Sequence, residues 1–403
     1  MSMDKGPASL LDHLRRLRGS ALLTGMAILA LYVAAHPRLY KRLDSSVSDV
    51  IGSLQVQRLS REDRKLLERG YYENLLGMDR NNPELWNLYE QRPTEWRSLW
   101  QTEAVEWTND LLRLQLAPSV SLSYKGETLT TNQWGMRDRE YEREKPEGVF
   151  RIAVLGASPV MGSGVADGHT FEELLEDRLN AELGGAGAPR YELLNFAVES
   201  YTVMQQMYTL ETKVLPFEPD AVMYVAHESE YEKTLGDLGN LRERRIELRY
   251  PFLDSITARA DVGPGTKRSL AIRRLTPHAK ELHARMYDWM GAFSREHGLA
   301  AYWVFMPMPA RGVTGPVETA NSAEPMVREL FDLARDAGFV QVDLSGVYDG
   351  TDLTTLWVAT WDRHPNLKGH QLVADRLLEE MLPLLGKTPE PAAPPSGTRA
   401  ATR

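Results

Sequence analysis

Cysteine is absent from the 403 residues of this chain, which excludes disulfides, thiolate catalysis and cysteine-ligated zinc while naming no compartment. Basic residues are outnumbered: 47 Lys and Arg stand against 56 Asp and Glu, a formal charge of −9. A phosphate backbone selects basic surfaces, so nucleic acid is not the expected partner. The glycines between Gly156 and Gly164 come without the lysine of a phosphate-cradling loop. His364 and His370 lie six apart and no other His, Asp or Glu cluster has metal-ligand spacing, so neither metal nor other cofactor is expected. No internal repeat is present. What remains is ordinary globular material, 42% hydrophobic and able to build a core.

Long apolar runs are also scarce; the single one is Gly19 to Ala35. It is at the short limit for a bilayer span, with Tyr32 and His36 placed for the interface. Arg15, Arg16 and Arg18 precede it, which gives a span over 19–36 with residues 1–18 cytoplasmic and the bulk of the chain outside, at the cell (inner) membrane. Two alternatives stay open: a signal peptide cleaved near Val33-Ala34-Ala35, and a buried core helix.

Residues 43–130 are polar and rich in Glu, Arg and Trp, and read as a helical stalk or cap. Ser60-Arg-Glu-Asp63 has the form of a capping box, and Trp86, Trp96, Trp100 and Trp107 are spaced to share helix faces. Ser119 to Thr130 alternates more like extended chain. From Phe150 the pattern changes to short apolar runs, at 150–155, 191–197, 221–225, 301–306 and 340–344, separated by helical periodicity, as after the cap Thr170 and over 368–385. Strands alternating with helices imply a parallel sheet covered on both faces, with the site at the carboxyl ends of the strands. Residues 232–276 are charged and without a clear period, and read as an insertion, either a lid or a solvated loop. The Pro/Ala-rich tail 386–403 is expected to be disordered.

The chemistry-bearing residues gather where those strands end. Ser158 follows the first strand inside Gly156-Ala-Ser-Pro, a turn that would expose its hydroxyl and aim its own N–H at the same space. Asn195 to Tyr201 and Ala226 to Tyr231 follow the next two. Near the C-terminus, Asp362-Arg-His-Pro places a carboxylate two residues before His364 and a proline after it, which suits an imidazole held in one tautomer beside a serine.

Taken in order, Gly156-Ala-Ser158, Asn195–Tyr201, Pro219–Tyr231 and Asp362-Arg-His-Pro-Asn-x-x-Gly-His370 resemble the four blocks of SGNH/GDSL hydrolases over residues 131–385. Thr131-Asn-Gln-Trp-Gly-Met-Arg-Asp138 resembles the segment that often precedes the first block in membrane-anchored bacterial members. The resemblance implies a three-layer α/β/α, flavodoxin-like fold and hydrolysis or transfer of acyl esters; the apolar run at 19–36 alone points to an envelope glycan or lipid as the substrate. It implies Ser158 as nucleophile, His364 as general base and Asp362 as its orienting carboxylate. The Ser158 N–H becomes one oxyanion donor. Three positions depart from the pattern: Ala157 replaces an acidic residue, Ser200 the glycine of the second block, and Ser229 the oxyanion asparagine of the third. His227 is the nearest substitute for that asparagine, and Glu230 would fix the geometry of its loop. A weakened site that binds a glycan or a partner instead of reacting is the other reading of these departures.

Overall fold

A computed structural model of the chain describes residues 96–185, 187–309 and 325–385. The apolar run at 19–36, the Ser60 capping box, Trp86 and the tail lie outside them. Among the described residues no helix is long and apolar enough to cross a membrane.

The segment expected to be a helical cap is β-structure over its described part. β1 (Val105–Trp107) pairs antiparallel with β2 (Leu114–Leu116), and β3 (Ser121–Tyr124) with β4 (Glu127–Thr130). Only a 3-10 turn at Leu99–Gln101 is helical there. The β3–β4 connection is two residues long, Lys125-Gly126, with φ of +52° and +85°. Two positive φ values give the turn whose twist matches that of the strands. A lysine in that conformation costs about 1–2 kcal/mol relative to glycine.

Beyond the hairpins the chain winds as β5 (Val149–Leu155), α1 (Ser158–Met161), α2 (Phe171–Glu182), β6 (Arg190–Asn195), α3 (Val203–Thr209) and β7 (Ala221–Ala226). It continues through α4 (Glu230–Glu243), α5 (Pro251–Arg259), α6 (Arg268–Leu275), α7 (Ala279–Glu296), β8 (Ala300–Phe305), α8 (Pro325–Asp336) and β9 (Val340–Asp343). A small antiparallel pair, β10 (Trp357–Ala359) and β11 (Asp362–Pro365), then leads into α9 (Leu367–Leu385). The five-stranded sheet has the order β6-β5-β7-β8-β9, and every pairing in it is parallel.

Strand periodicity divides the interior into two cores. Ala153, Leu155, Val222, Tyr224, Trp303 and Phe305 face one, packed with residues of α3 to α8. Their neighbours Ile152, Val154, Met223, Val225, Tyr302 and Val304 face the other, with α1, α2, α9 and the hairpins. Central β7 is buried along its whole length, which is why it reads as a continuous apolar run. The charge of Arg151 inside β5 is met by Glu192 on β6 at 2.8 Å and by the carbonyls of Glu142, Arg143 and Phe217.

Residues 232–276 are neither a lid nor a loop. Helices α4, α5 and α6 occupy most of them and bury Leu235, Leu238, Leu241, Leu253, Ile256 and Leu275 against the first core. Their short helices and many surface charges hide the period that a longer amphipathic helix would show.

Candidate functional site

The sheet order reverses direction between β5 and β7, because the chain leaves β5 for β6 on one side and returns to β7 on the other. That reversal opens a crevice at the carboxyl ends of the strands. Ser158 opens α1 at the end of β5, and His227 follows β7. The turn into α1 requires Gly156: a Cβ there would lie 2.3 Å from the Val160 side chain. As the first residue of its helix, Ser158 has an N–H with no carbonyl one turn back to receive it. Its side chain is 2% exposed.

Several contacts hold α1 in place. Asn195, at the end of β6, donates through Nδ2 to the Val160 carbonyl at 3.0 Å and to Glu172 Oε1 at 2.9 Å, and its Oδ1 accepts the Ala197 N–H. Arg137 donates to the carbonyls of Met161, Gly162 and Val165 at the far end of α1. Asp138 accepts the Asn195 N–H at 2.7 Å. The Trp-Gly-Met-Arg-Asp segment and Asn195 therefore act as a scaffold behind Ser158, and the polar atoms of the Asn195 side chain are spent there.

His364 and Asp362 lie on β11, a strand where the sequence suggested a loop, and β11 packs against α1. His364 Nδ1 is 2.6 Å from Asp362 Oδ1, which also accepts the His364 N–H at 3.2 Å. A carboxylate acceptor places the ring proton on Nδ1 and leaves the Nε2 lone pair as the basic position. Burial pushes the imidazole down to about 3, with His370 adding to the shift, so the ring is neutral near pH 7. The rest of the block supports this pair. Asn366 accepts the Gly369 N–H and donates to the carbonyls of Thr355 and Trp357, capping α9. Gly369 lies so close to Pro365 that a Cβ would meet it at 2.8 Å. His370 Nδ1 accepts the N–H of Phe171 at 2.9 Å, a packing role at the start of α2.

The residues carried over as oxyanion donors separate. Ser200 has φ +70°, the left-handed conformation that makes glycine the usual residue of this block, and its Oγ is buried with no hydrogen-bond partner. Ser229 directly precedes α4 without a side-chain capping bond, and its N–H is spent on His227 Nδ1 at 3.0 Å. His227 Nε2 lies 3.1 Å from Lys233 Nζ, and burial pushes this imidazole well below its ordinary value. Glu230, the first residue of α4, accepts from the Tyr224 hydroxyl of β7 at 2.7 Å and is pushed up to about 7 by burial.

The sequence reading passed over four residues at the β3–β4 tip and its surroundings. Lys125, 7% exposed, places Nζ 2.8 Å from Asp362 Oδ2, 2.7 Å from Ser163 Oγ and 3.5 Å from His364 Nδ1. Tyr124 donates to Glu199 and lies 3.2 Å from Ser163 Oγ. The detectable signal was the Lys-Gly pair between two alternating runs, a hairpin pattern.

No family model matches the chain, and no curated protein does. Solved structures similar to it include LAE5, an alpha/beta hydrolase enzyme from the metagenome of Lake Arreo. It is 17% identical, with 57% of this chain and 94% of that one covered and a TM-score of 0.35. Axe2, an acetylxylan esterase from Geobacillus stearothermophilus, is 14% identical over 58% of this chain and 94% of its own, with a TM-score of 0.36. A protein assigned to the G-D-S-L lipolytic family from Desulfitobacterium hafniense DCB-2 is 12% identical over 57% and 98%, with a TM-score of 0.34. One of these three carries the G-D-S-L description, the name of the family that the four sequence blocks of this chain resemble.

Proposed function

We propose that the chain is a serine-dependent ester hydrolase. Ser158 attacks the acyl carbonyl, His364 takes its proton through Nε2 and returns it to the leaving alcohol, and Asp362 holds the imidazole. Water then releases the acyl group from Ser158 by the reverse sequence. The observation that carries this reading is the 2.6 Å Asp362–His364 bond on a strand packed against the helix that Ser158 opens. The N–H groups of Ser158 and Ser200 are the proposed oxyanion donors, with the Ser229 hydroxyl as the side-chain donor; both ring nitrogens of His227 are engaged, by Ser229 and Lys233. Loss of one such donor typically costs about 2.7–4 kcal/mol of transition-state stabilisation, so the altered blocks set a slow rate rather than none.

The proposed substrate is an acylated glycan or lipid of the cell envelope. The acetylxylan esterase among the similar structures supports an acetylated sugar, and the apolar run at 19–36 supports the membrane surface. If a sugar hydroxyl replaces water in the second step, the same residues perform transfer. Hydrolysis of p-nitrophenyl acetate and of acetylated xylan tests the reading. Activity in the wild type, lost at least about 10³-fold in Ser158→Ala with folding intact, is the expected outcome. Its kcat/KM should hold its plateau below pH 6.5, since burial keeps His364 neutral there. Equal, low turnover in both proteins would favour a binding protein instead.

A further inference from the structure

The β3–β4 hairpin tip enters the site from outside the α/β layers. Tyr124 and Lys125 reach the three segments that must keep a fixed spacing: Ser163 beyond α1, Glu199 in the loop after β6, and Asp362 on β11. Lys125 does so from left-handed backbone, where glycine is the easier residue, and with its side chain removed from water. A turn at the surface needs no buried cation. The strained placement is explained if the ammonium has work at Asp362.

We propose that Lys125 is a positioning residue of the Ser158–His364–Asp362 site, acting through Asp362. This rests on the hydrolase reading above. One oxygen of the Asp362 carboxylate accepts from His364 and the other from Lys125, so the carboxylate cannot rotate away from the imidazole. The same positive charge lies 3.5 Å from His364 Nδ1 and opposes protonation of the ring at rest. Other charged or titratable groups face this cluster. Tyr124 stands beside Lys125 with Glu199 across its hydroxyl, Lys233 faces Glu199, and His370 lies beside His364 on α9. Of these, only Lys125 bonds the Asp362 carboxylate directly among the contacts described. The β3–β4 hairpin is on this account part of the working site.

The test compares Lys125→Met and Lys125→Arg in the full chain. In Lys125→Met the acid-side midpoint of kcat/KM should rise by about one unit or more, because a like charge has left the imidazole. Its kcat should fall at least about tenfold with KM nearly unchanged, since the loss is of transition-state alignment. Lys125→Arg should restore the low midpoint and part of the rate. A folded Lys125→Met with an unchanged pH profile overturns the proposal. The imidazole titration of His364, followed by nitrogen NMR in a Ser158→Ala background and assigned with His364→Gln, needs no turnover. A midpoint raised by Lys125→Met there supports the proposal even if the ester reading fails, and an unmoved one overturns it. Should Lys125→Met not fold, Lys125→Gln enters the same two measurements with the same criteria.

Discussion

At the residue scale, local chemistry assigns a physical task to nearly every position of the most specific motif. In Asp362-Arg-His-Pro-Asn366, the aspartate accepts from the imidazole, the asparagine caps α9, and Pro365 fills the space that Gly369 leaves. Ser200 is the clearest misfit. Its φ of +70° and its buried, unpartnered hydroxyl both penalise a serine where glycine is relaxed. Ser200→Gly is expected to stabilise the fold by about 1 kcal/mol, the relief of left-handed strain net of the greater freedom of glycine in the unfolded chain. The urea midpoint measures it; a variant less stable than wild type would mean that the hydroxyl has an unrecognised partner. Ser158, Asp362, His364, Ser200 and Glu230 are singled out in the sequence because each falls in one of the four blocks that resemble the family pattern. Lys125 was not, because its partner Asp362 is more than two hundred residues away and no local pattern encodes that pairing.

At the scale of elements, the parallel strands were readable and two other segments were not. A strand buried on both faces writes a continuous apolar run, and β5, β7 and β8 do so. The hairpins before residue 131 are three or four residues per strand and half exposed, too short for a period to emerge beside the tryptophans. Helices α4 to α6 mix charge with core leucines, and so resembled an insertion. Their role is tested by Leu238→Ala. A residue on a lid or loop would tolerate the change, whereas this fully buried one should lose about 2–5 kcal/mol of unfolding free energy. Denaturation by guanidinium at constant pH distinguishes the two; a loss under about 0.5 kcal/mol would return the segment to the surface.

Across the whole molecule, stability should depend on pH through two opposed sets of buried groups. His227, His283, His364 and His370 are held below the ordinary imidazole range, chiefly by burial. The unfolded chain takes up protons near pH 6.5 and the native one does not, so this set removes stability as pH falls below that value. Asp138 and Glu172 are raised by burial and by neighbouring carboxylates, and Glu230 by burial. Their contribution is complete below the usual carboxylate range near pH 4 and is lost as pH rises towards their native values. Glu172→Gln removes one member of the second set. Its melting temperature relative to wild type should therefore be higher at pH 8 than at pH 5; a difference independent of pH would mean that Glu172 is ionised in the native state.

All of these effects matter to function only if Ser158 is an activated nucleophile. Treatment of the full chain with a fluorophosphonate, followed by mass spectrometry of the modified peptide, asks this directly. The expected result is one phosphonyl adduct on Ser158, lost in Ser158→Ala and strongly slowed in His364→Ala and Asp362→Ala. A folded wild-type protein that remains unlabelled, or that is labelled elsewhere, would contradict the assignment of Ser158, His364 and Asp362 as a catalytic set.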